Sequence, residues 1–423
     1  MSGLCRSREL VSGLNPQALC TAAAVVLGLM FFTTLGAQGL TLNIIHNFTG
    51  GEDGAYPRGG PTIDGVGNLY GTTEAGGGAG KAGTVFKIRR RNSSWVLSPL
   101  YAFTSGNDGA APLAGVIRDS NGILYGTTSQ GGQYTYGTVF KLRPGSTAPT
   151  TVITPWIESV LYSFQGGNDG FVPGSDLVFD PEGNLYGTTQ EGGAYGYGTV
   201  FKLTPSDGGW TESVIYSFTG GADGASPVAG VVLDNSGNLY GTTPNGGSKS
   251  NVGVVYELTP SGSGWNEAVL YAFQGENDGA APYAGVILDQ SGNLYGATYA
   301  GGVNNGGTVF ELSPSNGSWT LNVLYSLTGP SGGNGGPAAS LTMDAAGNLY
   351  GTTLYDGLYG SGSVFKLTSS NNSWTYFSLH DFAGGNDGEQ PYSSPVFDSS
   401  GNLYGTAQDG GTDGYGIVFQ IMP

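Results

Sequence analysis

Cysteine is almost missing from this sequence of 423 residues. Its two copies, Cys5 and Cys20, both lie near the amino terminus, and the rest of the chain has none. That absence excludes disulfide bonds, thiol catalysis and cysteine-ligated metal sites from the rest of the chain. The folded part must therefore be stabilised by its core and by its strand ladders.

Basic residues are also scarce, with 14 Lys and Arg against 31 Asp and Glu, and the formal net charge is −17. Phosphate binding needs clustered Lys and Arg, so nucleic acid is excluded as a partner. The acidity suits solubility outside the cell, and it suits the binding of cations or neutral polar ligands.

The first 37 residues have the pattern of a secretory signal peptide. Arg6 and Arg8 give a basic start, an apolar run extends from Ala18 to about Leu35, and the small residues before Gln38 suit cleavage there. We expect the mature chain, residues 38–423, to be secreted or periplasmic and not to span a membrane. A retained membrane anchor is the alternative.

A five-residue motif, Leu-Tyr-Gly-Thr-Thr, occurs seven times when two near-copies are included. Successive copies are 54 to 61 residues apart, which indicates one repeat architecture rather than separate domains. Glycine is abundant, with 79 residues, but the absence of a Gly-X-Y period excludes a collagen-like fibre. The tyrosines of the motif are Tyr70, Tyr125, Tyr186, Tyr240, Tyr295, Tyr350 and Tyr404.

Each repeat is predicted to form four short strands, A to D. In the copy at residues 230–273 these are Gly230–Asp234, Leu239–Thr243, Gly253–Leu258 and Trp265–Phe273, separated by turns rich in Asp, Asn, Gly and Pro. Seven such units predict an all-β fold, a seven-bladed β-propeller with strand A innermost. A parallel β-helix is the rival fold, but its coils are shorter and lack tight hairpins.

The two ends of the chain complement each other. Residues Leu40–Phe48 match a strand D, and the last strand of the sequence, Gly416–Ile421, matches a strand C. We predict that the amino-terminal strand pairs onto the last blade, because this closes the ring and removes its open edges. The six tryptophans occupy one equivalent position of strand D and are predicted to pack: Trp95, Trp156, Trp210, Trp265, Trp319 and Trp374.

Three motifs of the repeat carry a family resemblance. They are Asp-x-x-Gly-Asn-Leu-Tyr-Gly-Thr-Thr, Gly-Thr-Val-Phe-Lys-Leu and Leu-Tyr-Ser-Phe-x-Gly-Gly-x-Asp-Gly, and together they cover about residues 45–421. The chain closely resembles the GloVer tandem-repeat family of exported bacterial proteins, and its unit is similar to the NHL propeller repeat. The resemblance implies the propeller fold and export, and it implies no biochemical activity. Family members often carry a carboxy-terminal surface anchor, which is not expected here because the sequence stops at its last strand.

The links from strand D to the next strand A, and the loops from strand B to strand C, are expected on one face of the propeller. Six links carry Asp-Gly pairs, so carboxylates would ring that face and could take a cation or sugar hydroxyls; turn formation is the alternative. Calcium needs six to eight oxygens per ion and no loop has that spacing, so no cofactor is expected, with calcium only weakly suited. These aspartates are Asp53, Asp108, Asp169, Asp223, Asp278 and Asp387.

The B-to-C loops differ most between copies, so ligand contacts are sought there. They bring six tyrosines to the face with the aspartates. Tyrosine beside carboxylates suits a saccharide or peptide surface, because the ring stacks while the hydroxyl stays wet. Packing between neighbouring loops is the alternative. The tyrosines are Tyr134, Tyr136, Tyr195, Tyr197, Tyr359 and Tyr415.

Catalysis has little support in the sequence. The only histidines, His46 and His380, stand in strand D where other copies have Tyr, so both are interpreted as tyrosine substitutes. No Ser-His-Asp set or histidine-ligated metal is predicted. We expect an exported binding or structural module for an extracellular glycan or peptide. The alternatives are a polysaccharide hydrolase or lyase that uses carboxylates and tyrosines, and a passive surface or matrix protein.

Overall fold

A computed structural model describes residues 40–145, 155–247, 251–262, 264–329, 335–371 and 373–422. The segment predicted as a signal peptide lies outside these ranges. Within them, no helix has both the length and the apolar character needed to cross a membrane.

The residues from Thr41 to Met422 form seven antiparallel sheets of four strands each, which we number as blades 1 to 7. The predicted all-β, seven-bladed propeller is confirmed. Blades 1 to 3 contain β2 (Thr62–Ile63), β3 (Leu69–Thr73), β4 (Thr84–Arg91), β5 (Ser94–Ala102), β6 (Ile117–Arg118), β7 (Leu124–Thr128), β8 (Thr138–Pro144), β9 (Trp156–Ser163), β10 (Val178–Phe179), β11 (Leu185–Thr189), β12 (Thr199–Ser206) and β13 (Gly209–Ser217).

Blades 4 to 7 continue the same order, and short 3-10 helices lie in two links, at Gly167–Asp169 and Gly385–Asp387. The strands are β14 (Val232–Leu233), β15 (Leu239–Thr243), β16 (Val254–Ser261), β17 (Gly264–Ala272), β18 (Ile287–Leu288), β19 (Leu294–Ala297), β20 (Thr308–Ser315), β21 (Ser318–Ser326), β22 (Thr342–Met343), β23 (Leu349–Thr353), β24 (Ser363–Ser370), β25 (Ser373–Asp381), β26 (Val396–Phe397), β27 (Leu403–Ala407), β28 (Ile417–Met422) and, from the amino terminus, β1 (Thr41–Asn47).

Blade 7 is completed by strand β1. It pairs with β28 in an antiparallel register that runs from Thr41 opposite Met422 to Asn47 opposite Ile417. The side-chain amide of Asn43 also donates to Gln420 Oε1 at 3.3 Å. The predicted closure of the ring is therefore confirmed, and β28 has a partner on both sides.

The hydrophobic core lies between neighbouring blades. One cluster joins Tyr70 and Val85 of blade 1 to Leu124 and Phe140 of blade 2, and six further clusters repeat this arrangement around the ring. The motif strand is buried along its whole length, as β3 shows. Its central glycine is required because a Cβ on Gly71 would lie 2.6 Å from the Phe86 ring of the same blade.

The tryptophans pack across the boundaries between blades, as predicted. The ring of Trp95 in blade 1 lies 6.0 Å from that of Tyr404 in blade 7. The same edge-on pairing joins Trp265 in blade 4 to Tyr186 in blade 3 at 6.2 Å. The first of these pairs spans the point where the ring closes.

The fourth residue of the motif links six of the seven blades to the next one. In six blades it is a threonine whose hydroxyl donates to a backbone carbonyl at the entry to strand A of the following blade. Blade 5 has Ala297 at this position, which is fully buried, so its boundary with blade 6 lacks the bond. The six bonds are Thr72 to Ala114, Thr127 to Ser175, Thr188 to Ala229, Thr242 to Ala284, Thr352 to Ser393 and Thr406 to Gly59, at 2.7 to 3.3 Å.

Strand A is shorter than predicted. The sequence suggested Gly230–Asp234, whereas β14 contains only Val232 and Leu233. The preceding residues lie at the axis, where a Cβ on Gly230 would come within 2.5 Å of the backbone oxygen of Asp176 in blade 3. Crowding between blades replaces strand pairing there.

The A-to-B turns are fixed by their aspartates, as interpreted from the sequence. Asp234 accepts the backbone N–H groups of Ser236 and Asn238 at 2.8 and 2.9 Å. Its second oxygen accepts the Asn238 side-chain amide at 2.9 Å and the Tyr240 hydroxyl at 3.2 Å. The motif tyrosine therefore ties strand B to the turn that precedes it.

Candidate functional site

The D-to-A links and B-to-C loops lie on the same face, which we call the link face. In blade 1 a bridge joins Ala55 of the link to Ala75 of the loop, and in blade 2 a bridge joins Ala110 to Gln130. Blades 3, 4, 5 and 7 have the equivalent bridge. The predicted placement of these segments on one face is confirmed.

The six link aspartates are held by their own links. Asp108 accepts the Thr104 N–H at 2.8 Å, the Thr104 hydroxyl at 2.6 Å and the Tyr101 hydroxyl at 3.0 Å. The other five accept the same backbone bond and the same bond from the aromatic residue of strand D. That they also contact a ligand stays a prediction. The five are Asp53, Asp169, Asp223, Asp278 and Asp387.

Both histidines perform the hydrogen-bonding role of the tyrosines they replace. The Nε2 atoms of His46 and His380 lie 3.0 Å from Oδ2 of Asp53 and Asp387. In the other copies a tyrosine hydroxyl reaches the link aspartate, as from Tyr101. The interpretation of the histidines as tyrosine substitutes is confirmed. Among the described residues, no group of three or more His, Cys, Asp or Glu is placed to hold a metal ion.

Three of the six predicted tyrosines pack at blade boundaries. The backbone oxygens of Tyr136, Tyr197 and Tyr415 accept N–H groups of the following link at 2.8 to 3.3 Å. The Tyr136 ring lies 5.4 Å from Phe171, and the Tyr415 ring lies 5.9 Å from Tyr56. These tyrosines therefore stabilise the link face as well as presenting part of their rings to solvent.

The other three tyrosines lie nearer the tips of their loops. Tyr195 and Tyr359 are 62% and 60% exposed, and Tyr134 is 42% exposed. Tyr359 borders a cavity of about 580 Å³ between blades 5 and 6, beside Asp356 and the stacked rings of Tyr325 and Tyr376, whose centroids are 4.9 Å apart. Asp356 accepts a hydrogen bond from the Thr328 hydroxyl of the link that enters blade 6, which is the link without the usual Asp-Gly pair.

A cavity of about 350 Å³ lies at the axis of the propeller, and all seven blades contribute residues to its wall. This cavity was not among the predicted sites. One equivalent residue per blade lies at or directly behind its wall, and we call these seven the inner ring. Neighbours in this ring touch: a Cβ on Gly115 would lie 2.5 Å from the backbone oxygen of Gly60. The inner ring is Gly60, Gly115, Asp176, Gly230, Gly285, Ser340 and Ser394.

Asp176 is the one carboxylate of the inner ring. Its Oδ1 accepts the Gly115 N–H at 3.0 Å. The side chain is encircled by the seven blades, and solvent reaches it through the axial cavity that it lines. Burial inside the ring raises the pKa of Asp176, and the bond from Gly115 opposes that shift.

Two residues before each inner-ring position lies a second set, the mouth ring, nearer the link face. The Arg58 guanidinium lies 4.3 Å from the centre of the Tyr392 ring, and its Nη1 lies 3.8 Å from Glu74 Oε2. On the other side, Tyr283 packs edge-on against Tyr299 at 5.6 Å. The mouth ring, whose members all line the same cavity, is Arg58, Leu113, Gly174, Val228, Tyr283, Ala338 and Tyr392.

Acidic residues surround Arg58 at the mouth. Burial raises the pKa of Asp409, and the charges of Glu389 and Glu74 raise it further, whereas Arg58 lowers it. One cation thus stands among three carboxylates. The arrangement is polar, aromatic and net acidic, and it differs from blade to blade, unlike the link aspartates.

The signal for this site was present in the sequence. After the proline of each link, most copies have small or aliphatic residues, whereas blades 1, 5 and 7 have Arg58, Tyr283 and Tyr392. Asp176 likewise replaces the glycine found at its position in four blades. A comparison of copies at these positions, rather than in the longer loops, would have identified the axial residues.

The sequence matches a known repeat family. The model of the Gloeobacter/Verrucomicrobia repeat matches residues 26–156, 152–274 and 250–423. Among curated proteins, no sequence matches this chain.

Several solved structures are similar along most of the chain. A putative oxidoreductase (glucose dehydrogenase) from Thermus thermophilus is 14% identical, with 91% of this chain and 100% of that chain covered and a TM-score of 0.41. A putative 6-phosphogluconolactonase from Bacteroides uniformis is 12% identical, with 84% and 99% covered and a TM-score of 0.49. A gluconolactonase from Xanthomonas campestris is 12% identical, with 90% and 89% covered and a TM-score of 0.39. With identities of 12 to 14% and TM-scores below 0.5, these similarities support no conclusion about the function of this chain.

Proposed function

This chain belongs to the Gloeobacter/Verrucomicrobia repeat family, and we propose that it is an exported binding module for an extracellular polysaccharide or peptide. The ligand docks on the link face, over the mouth ring of the axial cavity. The proposal adds the axial residues to the tyrosines and link aspartates predicted from the sequence.

One observation carries this proposal: the mouth ring is asymmetric. Residues needed to build a blade recur in every copy, as the turn aspartates do. Arg58, Tyr283 and Tyr392 instead replace small or aliphatic residues, so the fold does not require them. All three border one cavity of about 350 Å³, within the usual size range of small-ligand sites.

The chemistry of the mouth suits a ligand with apolar faces and polar edges. Tyrosine rings provide stacking surfaces while their hydroxyls stay hydrated. Arg58 and Glu74 add a donor and an acceptor at the same opening. Tyr195 and Tyr359, which are more than half exposed, extend the same face outward for a longer chain.

Glycan and peptide arrays probed with the purified protein test the proposal. Tyr283→Ala is the matched variant, because blade 6 has Ala338 at that position and the fold already accepts it. We expect Tyr283→Ala and Tyr392→Ala each to weaken binding about tenfold, the effect of roughly 1.4 kcal/mol. Val66→Ala, in an exposed A-to-B turn outside the cavity lining, serves as the control.

The proposal is wrong if no glycan or peptide binds, or if binding survives all mouth variants. Release of reducing ends or shortened products from a bound ligand would instead identify a hydrolase or lyase. That outcome would move the protein from the binding class to the enzyme class while leaving the location of the site intact.

A further inference from the structure

The carboxylate of Asp176 lacks a cationic partner among the described residues. Its Oδ1 has the Gly115 N–H, whereas its Oδ2 accepts no hydrogen bond from any of them. The influences on its pKa are burial and that one backbone bond, and no Lys, Arg or His in the described part of the chain contributes. The side chain of Asp176 is open to the axial cavity, and a cation brought by a ligand would form a charge-assisted hydrogen bond with the free Oδ2.

The positive charge that lines the mouth is already engaged. The Arg58 guanidinium lies on the Tyr392 ring at 4.3 Å and beside Glu74 at 3.8 Å. With Glu74, Glu389 and Asp409 close together, the opening attracts positive charge rather than negative. The net charge of −17 acts in the same direction over longer distances.

The depth of Asp176 below the mouth favours an amine on a flexible stem. Around Asp176 the wall consists of glycine, alanine and serine backbones in mutual contact. The inner ring lies two residues further along the chain than the mouth ring, a separation of at most about 7 Å. Lysine carries its ammonium group on a flexible four-carbon stem, so it can reach past the mouth while its backbone stays outside. The amine of an amino sugar is attached to the ring itself, which would have to enter.

From this geometry we propose that the axial cavity receives one lysine side chain of a peptide, whose ammonium group pairs with Asp176. Its methylene stem lies against the small residues of the wall, and the Tyr283 and Tyr392 rings flank its entry. This inference rests on the proposed binding function and specifies the ligand of the same site.

The test is calorimetric binding of the pentapeptide Gly-Gly-Lys-Gly-Gly, capped at both ends, compared with the same peptide carrying Nε-acetyl-lysine. The two differ in charge but share the stem. We expect the lysine peptide to bind the wild-type protein at least tenfold more tightly. Asp176→Asn, which removes the charge at similar size, should abolish this preference.

Asp176→Gly is the second variant, because four blades have glycine at this position and the fold accepts it there. It too should bind both peptides equally. Equal binding of the two peptides by the wild type, or an unchanged preference in Asp176→Asn, would overturn the inference. Failure of the lysine peptide to bind at all would also overturn it.

A chitosan oligomer, a polymer of glucosamine, forms the third arm. If it binds in a manner that depends on Asp176 while the peptide does not, the ligand class is wrong. If Tyr392→Ala abolishes binding of an array ligand while Asp176→Asn leaves that binding unchanged, the proposed function stands and the lysine inference fails.

Discussion

The boundary between blades 5 and 6 offers a direct test of what holds the ring together. At the other six boundaries a buried threonine hydroxyl donates to a carbonyl of the next blade. Blade 5 has Ala297 there, and the corresponding carbonyl is that of Ala339 by its position in the repeat. Ala297→Thr should supply the missing bond and stabilise the protein.

The expected gain follows from the six existing bonds. A net intramolecular hydrogen bond contributes about 0.5 to 1.5 kcal/mol to stability. The reciprocal change, Thr242→Val, removes such a bond at 2.8 Å and leaves the carbonyl of Ala284 unpaired. It should lower the free energy of unfolding by roughly 1 to 3 kcal/mol, because the buried carbonyl then has no hydrogen bond to offset its removal from water.

Ala297→Val is the matched control, because valine adds nearly the same volume without a hydroxyl. The free energy of unfolding of the wild type and both variants would be measured in urea. We expect the threonine variant to exceed the valine variant by about 1 kcal/mol. For a chain of this length the corresponding rise in melting temperature is only about 1 to 2 °C, so denaturant is the better assay.

Two results would refute this reasoning. Valine could prove as stabilising as threonine at position 297, which would make volume rather than hydrogen bonding the relevant property. Alternatively, Thr242→Val could leave the unfolding midpoint unchanged, which would mean that the bonds between blades contribute nothing measurable.

Three further changes test other parts of the fold. Burial, and then the charge of Asp169 and a hydrogen bond with it, raise the pKa of Glu212 from 4.5 to about 8. The group therefore favours the folded state below pH 4.5 and loses this contribution as the pH rises through 8. In urea unfolding measured over this pH range, Glu212→Gln should reduce the dependence of the free energy of unfolding on pH. Asp234→Ala removes the acceptor for four donors, including the Tyr240 hydroxyl, and should lower the free energy of unfolding by about 2 to 4 kcal/mol in the same assay. A decrease of less than about 1 kcal/mol would contradict the role assigned to Asp234 in the turn. Ile44→Asp in β1 should detach that strand and expose the edge of β28. Light scattering should then show more self-association than in the wild type, and an unchanged molar mass would argue against the closure.

The fold could be predicted because the repeat fixes it several times over. Seven copies of one motif, turn residues at constant offsets and complementary ends all indicate the same ring. The extent of strand A could not be predicted, since Gly230 has a strand-like neighbourhood in sequence but lies against the backbone of blade 3. Which residues crowd at an axis depends on how blades pack, and the pattern within one blade carries no information on that.

The site was harder to predict for a physical reason. Variable residues in exposed loops are the usual candidates for ligand contacts, and Tyr195 and Tyr359 are indeed exposed. Half of the predicted tyrosines also pack at blade boundaries, which no spacing in the sequence indicates. Asp176 and Arg58 belong to different blades and are 118 positions apart in the sequence. They line one cavity only because the propeller closes and brings the inner ring and the mouth ring together around its axis.

The pairing of β1 with β28 constrains the order in which the molecule can be assembled. Asn43 and Gln420, which bond across this joint, are 377 positions apart. Synthesis from the amino terminus therefore makes β1 long before β28, and until β28 is made, β1 lacks its partner in blade 7. Contacts between such distant segments form slowly because the intervening chain must be ordered first. We therefore expect the joint between β1 and β28 to form late in folding, after the blades between these strands are in place.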